Sequence, residues 1–234
     1  MRNIKAVFTK QTLSFFKNPE RWGVPATFLL IPFLFLVLVP GFSIREGNNV
    51  IVAQFVIMFI GISMIGSSAA FISEDSRTMN LRFMAMAGVK PYQYLIGTGA
   101  TILLVSFSAL VLFGLMQGRS LVAMVNFLVI SMLGAACSML LGITLRLSKI
   151  AKFTGVIALI LGVMPIMGDY GVPYITELFG FIFTQQVNYA IRQDLMSFPA
   201  ESVRLIAINL VVLLVIFLSV NSRTGLDGER IAKA

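Results

Sequence analysis

LVAMVNFLVISMLGAACSMLLGITL, residues 121–145, contains no Lys, Arg, Asp, Glu or His. At about 1.5 Å per residue, a helix of this length exceeds the ~30 Å hydrocarbon core of a bilayer. A charge at its centre would cost roughly 2.5–3.5 kcal/mol on insertion, so so clean a run predicts a membrane span. Five further charge-free stretches flank it: Val24–Phe42, Val50–Ser73, Pro91–Met116, Phe153–Gly168 and Leu205–Asn221. All 18 basic residues lie between or beside these six runs. The pattern predicts an all-α integral membrane protein with six transmembrane helices and one domain over residues 1–234.

Composition agrees. Hydrophobic residues make up 58% and charged residues 12% of the chain, too little polar surface to cover a soluble core. The net charge of +8 would suit nucleic acid if it lined a soluble face, but the cations sit beside spans, and no nucleic-acid partner is expected. The N-terminus, MRNIKAVFTKQTLSFFKNPERW, lacks an apolar core followed by a small-residue cleavage site, so the first span is expected to act as an uncleaved insertion signal. Cys137 is the single cysteine and falls inside the fourth span, which leaves no intrachain disulfide. The absence of His removes most zinc sites and any Ser-His or Cys-His catalytic pair. With no Walker A sequence either, the chain is expected to be no enzyme, with no metal or cofactor of its own.

The basic residues set the orientation. With a cytoplasmic N-terminus, 14 fall inside: Arg2, Lys5, Lys10, Lys17, Arg21, Arg77, Arg82, Lys90, Arg146, Lys149, Lys152, Arg223, Arg230 and Lys233. Only Arg45, Arg119, Arg192 and Arg204 fall outside, while the acids divide evenly. This positive-inside bias predicts a multi-pass protein of the cell membrane with both termini cytoplasmic.

Residues 1–22 read as an amphipathic interfacial helix, with Ile4, Val7, Phe8 and Phe15 on one face and Lys10 and Lys17 on the other. Asn18-Pro19 ends it, and Pro32 should kink the first span. Small residues mark close helix packing at Gly66 and Ala70 in the second span and at Gly134, Ser138 and Gly142 in the fourth. That packing is either within the chain or between subunits. Residues 169–204 on the outer side are apolar but broken by Glu177, Gln185, Gln186, Asn188 and Arg192. They form re-entrant or interfacial helices before the last span, or an ordinary loop with a surface helix.

The connection between the second and third spans, SEDSRTMNLRFMAMAGVKPYQYLIG (73–97), stands apart. Ser73, Glu74 and Asp75 resemble a helix start, with acids favoured by the N-terminal dipole. Met79, Phe83 and Met86 recur at helical spacing with Leu81 and Arg82 between them. Gly88 stops the helix and Pro91 begins the next span. Such a helix, flanked by Arg77 and Arg82, suits either a groove on a partner protein or the membrane surface. The spans themselves lack the intramembrane charges on which proton- and ion-coupled carriers commonly rely, although sodium sites built from carbonyls and hydroxyls remain open. Their Phe, Met, Ser and Gly faces favour an apolar or amphipathic cargo.

Over nearly its whole length the chain resembles the type-2 permeases of ATP-binding-cassette transporters. The likeness rests on the basic N-terminal helix ending in Lys17–Pro19, the six spans, the outer re-entrant segment and, most specifically, the loop Ser73–Gly97. Where family members often carry Gly-Thr after the acidic-basic cluster, this chain has Arg77-Thr78-Met79. The resemblance implies that residues 74–90 hold a coupling helix whose Glu74, Asp75, Arg77, Thr78, Met79, Leu81, Arg82, Phe83 and Met86 contact an ATPase subunit. It further implies that ATP and Mg bind in that partner, that two permease chains pair as a homo- or heterodimer, and that transport is export of a drug, lipid or peptide. The alternative from another class is an ion-coupled carrier, or a bacteriocin-immunity-like membrane protein without an ATPase partner.

Overall fold

The computed structural model describes residues 2–38, 48–78, 80–148, 150–169, 177, 179–193 and 195–224. Helix α1 (Arg2–Lys17) leads through Asn18 into α2 (Pro19–Leu38). Helix α3 (Asn48–Met58), a π-helical stretch (Phe59–Met64) and α4 (Ile65–Arg77) follow one another without a break. The short α5 (Asn80–Met86) precedes α6 (Pro91–Met116) and α7 (Leu121–Leu147). Helix α8 (Thr154–Asp169), α9 (Phe183–Arg192) and α10 (Ala200–Thr224) complete the bundle. Among the described residues there is no strand.

Five helices are long and apolar enough to cross a membrane: Ile51–Arg77, Tyr92–Met116, Leu121–Leu147, Ala151–Gly168 and Ala200–Val220. The apolar part of α2, Trp22–Leu34, is shorter; α2 itself continues to Leu38, and residues 39–42 of the first expected span, with the loop after it, lie outside the described residues. Local signals set the helix ends. Pro91 opens α6, where Lys90 N–H bonds the Gln93 side chain at 3.0 Å. Gly88 (φ 76°) and Gly118 (φ 61°) turn the chain in the left-handed region that other residues rarely adopt.

One expectation is overturned here. Ser73, Glu74 and Asp75 do not start a helix; α4 runs through them to Arg77, and Thr78 N–H still bonds the Glu74 carbonyl at 2.9 Å. Both acids therefore sit in the last turn, at the negative end of the helix dipole. The compensation comes from side-chain donors on other helices.

Helix α7 is the axis of the bundle, contacted by α4, α6, α8, α9 and α10. Small residues let the backbones close in, the main route to association where lipid offers no hydrophobic drive. A Cβ on Gly142 would strike the Ile65 carbonyl oxygen, and one on Gly134 would lie 2.7 Å from Val187 Cγ2. Ser138 is fully buried between them along α7. Gly66 has open space beside it and Ala70 is exposed, so among the described residues no backbone closes in at these two positions.

Replacing Gly142 with Ala is expected to lower stability in detergent by ~1–3 kcal/mol through backbone overlap. Gly66→Ala should be neutral or gain up to ~1 kcal/mol from helix propensity. Paired thermal unfolding curves check both; equal effects at the two glycines would contradict the packing described.

Candidate functional site

One polar seam of the bundle lies at the end that carries Arg77, Lys90, Arg146 and Lys152. The apolar face expected for α1 is present, and it is turned onto protein. Val7 and Phe15 are buried, and Ile4 and Phe8 are half-buried. A Cβ on Gly97 of α6 would lie 2.7 Å from Val7 Cγ1, so the missing side chain lets α1 seat against α6. The Phe15 ring stacks on Phe71 of α4 with centroids 6.0 Å apart. Only Leu13 and Phe16 among the large apolar residues of α1 stay exposed.

At the centre of this seat is Asp75, 1% exposed. Its Oδ2 accepts from Gln11 Nε2 at 2.5 Å and from the Tyr94 hydroxyl at 2.7 Å, while Oδ1 lies 3.4 Å from Asn80 Nδ2. One carboxylate thus joins α1, α4, α5 and α6. Donors from three other elements meet this carboxyl, which offsets both its burial and the unfavourable end of the dipole. Neighbouring bonds extend the seam. Asn18 Nδ2 donates to Glu74 Oε1 at 2.9 Å, and Asn3 Nδ2 to Gln93 Oε1 at 3.3 Å. The joint between α4 and α5 is braced by Thr78 Oγ1 on the Glu74 carbonyl (2.7 Å) and Asn80 Nδ2 on Thr78 Oγ1 (2.8 Å).

The residues expected to contact a partner therefore divide. Asp75 points inward and Glu74 is half-buried on Asn18. Arg77, Thr78, Phe83 and Met86 are exposed, the last two at 60% and 64%. Met79 lies outside the described residues, and Leu81 and Arg82 are described by their place in α5 alone. Gln11 and Tyr94 were not singled out in the sequence. Their one signal was a polar side chain on the otherwise apolar face of α1 and a tyrosine at the start of a span.

The opposite end holds a second polar seam. All of Thr184, Gln185, Gln186 and Asn188 on α9 are buried, in a helix packed among α3, α7, α8 and α10. Asn188 Nδ2 bonds the Pro165 carbonyl at 3.1 Å, and Gln186 bonds the Gly180 carbonyl. Asn209, about 13 Å along α10 from its start, donates to the Phe181 carbonyl at 2.8 Å. The turn before α9 thus sits partway down α10 instead of beyond its end. Arg119 and Asn126 tie the top of the α6–α7 pair to the Ile191 and Leu195 carbonyls, each at 2.8 Å.

Among the described residues no three His, Cys, Asp or Glu side chains converge as metal ligands do. The geometry at Asp75 binds helices to one another. In comparisons with known proteins, no family model, no curated protein and no solved structure matches this chain.

Tyr94→Phe or Gln11→Ala should each strip a buried acceptor of one donor and loosen α1. Amide exchange across residues 2–17 is expected to quicken at least about tenfold, the equivalent of ~1.4 kcal/mol, with α9 unchanged. The double variant should exceed the sum of the two, because Asp75 Oδ2 then loses both partners. Simple additivity would show that the two donors act independently.

Proposed function

We propose that the chain is the membrane-spanning permease subunit of an ATP-driven exporter of the type-2 ATP-binding-cassette kind, forming the pathway for an apolar or amphipathic cargo. Energy comes from a separate ATPase subunit that carries ATP and Mg. The observation that carries this reading is the division within the loop. Arg77, Phe83 and Met86 face outward, free to enter a groove on a partner, while Asp75, two residues before Arg77, grips α1 and α6. A push on α5 is thereby delivered to three helices at once. On this reading the basic end is cytoplasmic, α1 sits at that membrane face, and residues 169–204 form the outer re-entrant segment above the pathway. The open space at Gly66 and the exposure of Ala70 on α4 favour a second permease chain over packing within one chain at that position.

A second reading draws on one observation. A carboxylate buried at the end of the Ile51–Arg77 helix and hydrogen-bonded to a tyrosine is the kind of group that relays protons in ion-coupled carriers. Depleting ATP while clamping the ion gradients separates the two, since a carrier keeps moving cargo.

Reversing Arg77 and Arg82 together to Glu is expected to weaken association with a co-expressed ATP-binding-cassette ATPase by at least about tenfold, with unchanged amounts of chain in the membrane. Co-purification and stimulated ATP hydrolysis at the level of the unaltered chain would sink the assignment of this loop.

A further inference from the structure

A groove of about 310 Å³ opens between α1, α2 and α6. Phe15 and Phe16 of α1, Trp22 and Leu29 of α2, and Leu104 and Leu112 of α6 form its walls. Two hydroxyls also line it, but both are turned to protein acceptors: Thr12 Oγ1 pairs with Thr101 Oγ1 at 3.4 Å, and Ser108 Oγ donates to the Leu104 carbonyl at 3.1 Å. The interior therefore offers apolar contact and little else. Its rim faces outward, with Phe16 69%, Trp22 42%, Leu104 47% and Leu112 48% exposed.

Size decides what fits. At roughly 30 Å³ per water-sized group, the volume accepts on the order of ten such groups, enough for most of one acyl chain. A helix, about 10–12 Å across, is too thick to enter. Charge decides what kind of headgroup follows. The segment Arg2–Trp22, which supplies both the α1 wall and the corner into α2, carries Arg2, Lys5, Lys10, Lys17 and Arg21 against Glu20 alone. Lys17 is exposed next to Phe16 and five residues before α2 becomes apolar at Trp22. Tryptophan at such a rim sits well at headgroup level, and basic residues there attract anionic lipid.

We infer that this groove is a binding site for an anionic phospholipid, one acyl chain lying between α1, α2 and α6 and the headgroup meeting Lys17. The inference does not depend on the pairing with an ATPase subunit.

The test places the full chain in nanodiscs with traces of phosphatidylglycerol or phosphatidylcholine bearing a photoreactive group on one acyl chain. Adducts are then mapped by peptide mass spectrometry. The phosphatidylglycerol probe should label peptides spanning Phe15–Leu29 and Leu104–Leu112 about fivefold more than the phosphatidylcholine probe, the preference one basic residue supplies at an anionic surface. Lys17→Glu should abolish that preference. Ala26→Trp, and separately Ser108→Phe on the exposed wall, should fill the groove and remove its labelling while leaving labelling of the exposed α10 face, Ile208–Val215, intact. Either variant suffices if it elutes as a single species with unchanged helical circular dichroism. Equal labelling by the two probes overturns the anionic preference. Groove labelling no stronger than that of α10, or unaltered by the filling variants, overturns the site. Cross-links between two copies of the chain at Trp22, in place of lipid adducts, overturn it as well.

Discussion

The rest of this structure depends on the exclusion of charge from its long helices. Between apolar helices surrounded by lipid, little hydrophobic force favours one neighbour over another. The bundle must then be fixed by how closely backbones approach and by the few polar bonds that helices can share. Both devices are present. Close approach joins Gly142 to Ile65, Gly134 to Val187, and Gly61 to the Gly162 backbone. The two ends are held by polar seams, around Asp75 at one and around Asn188 and Asn209 at the other.

The Asp75 seam has the larger consequence. A carboxylate removed from water needs donors, and here two of them come from helices far apart in sequence, Gln11 and Tyr94. Removing either leaves a buried carboxyl short of a partner, which costs more than losing an exposed hydrogen bond. The same arrangement makes α1 an integral part of the bundle instead of an appendage. It also leaves the outward side of the neighbouring loop, with Arg77, Phe83 and Met86, uninvolved in holding the fold. A segment can carry a partner's push only if one side is free to be pushed and the other is attached to what must move.

Much of the fold was legible from periodicity and punctuation. Five of the six charge-free runs coincide with helices long and apolar enough to cross a membrane, Pro91 and Gly88 marked the ends of the loop, and the amphipathic pattern found α1. Gly134, Ser138 and Gly142 were readable as packing positions because they repeat every fourth residue. At Gly66 and Ala70 nothing within the described residues packs as closely, since spacing tells that a face is small without telling what lies against it. Glu74 and Asp75 were misread for a related reason. Acids favour a helix start when only the local dipole acts, and their actual partners, Gln11, Asn18 and Tyr94, are long-range contacts invisible to a local rule. The burial of Thr184, Gln185, Gln186 and Asn188 was hidden likewise: polar residues read as solvent-facing until the carbonyls that receive them are known. The π-helical stretch Phe59–Met64 carries no sequence signature at all.

On the proposed reading, α1, α5 and the ends of α4 and α6 move as one body when an ATPase subunit closes beneath them. Spin labels at Leu13 and Phe83, both exposed, with Cys137 replaced, report the distance within that body; labels at Phe83 and Ile208 report its distance to α10. Double electron–electron resonance on the chain reconstituted with its ATPase should give an unchanged Leu13–Phe83 distribution on adding ATP and a shifted Phe83–Ile208 distribution. A shift between Leu13 and Phe83 with a fixed Phe83–Ile208 distance would contradict the account.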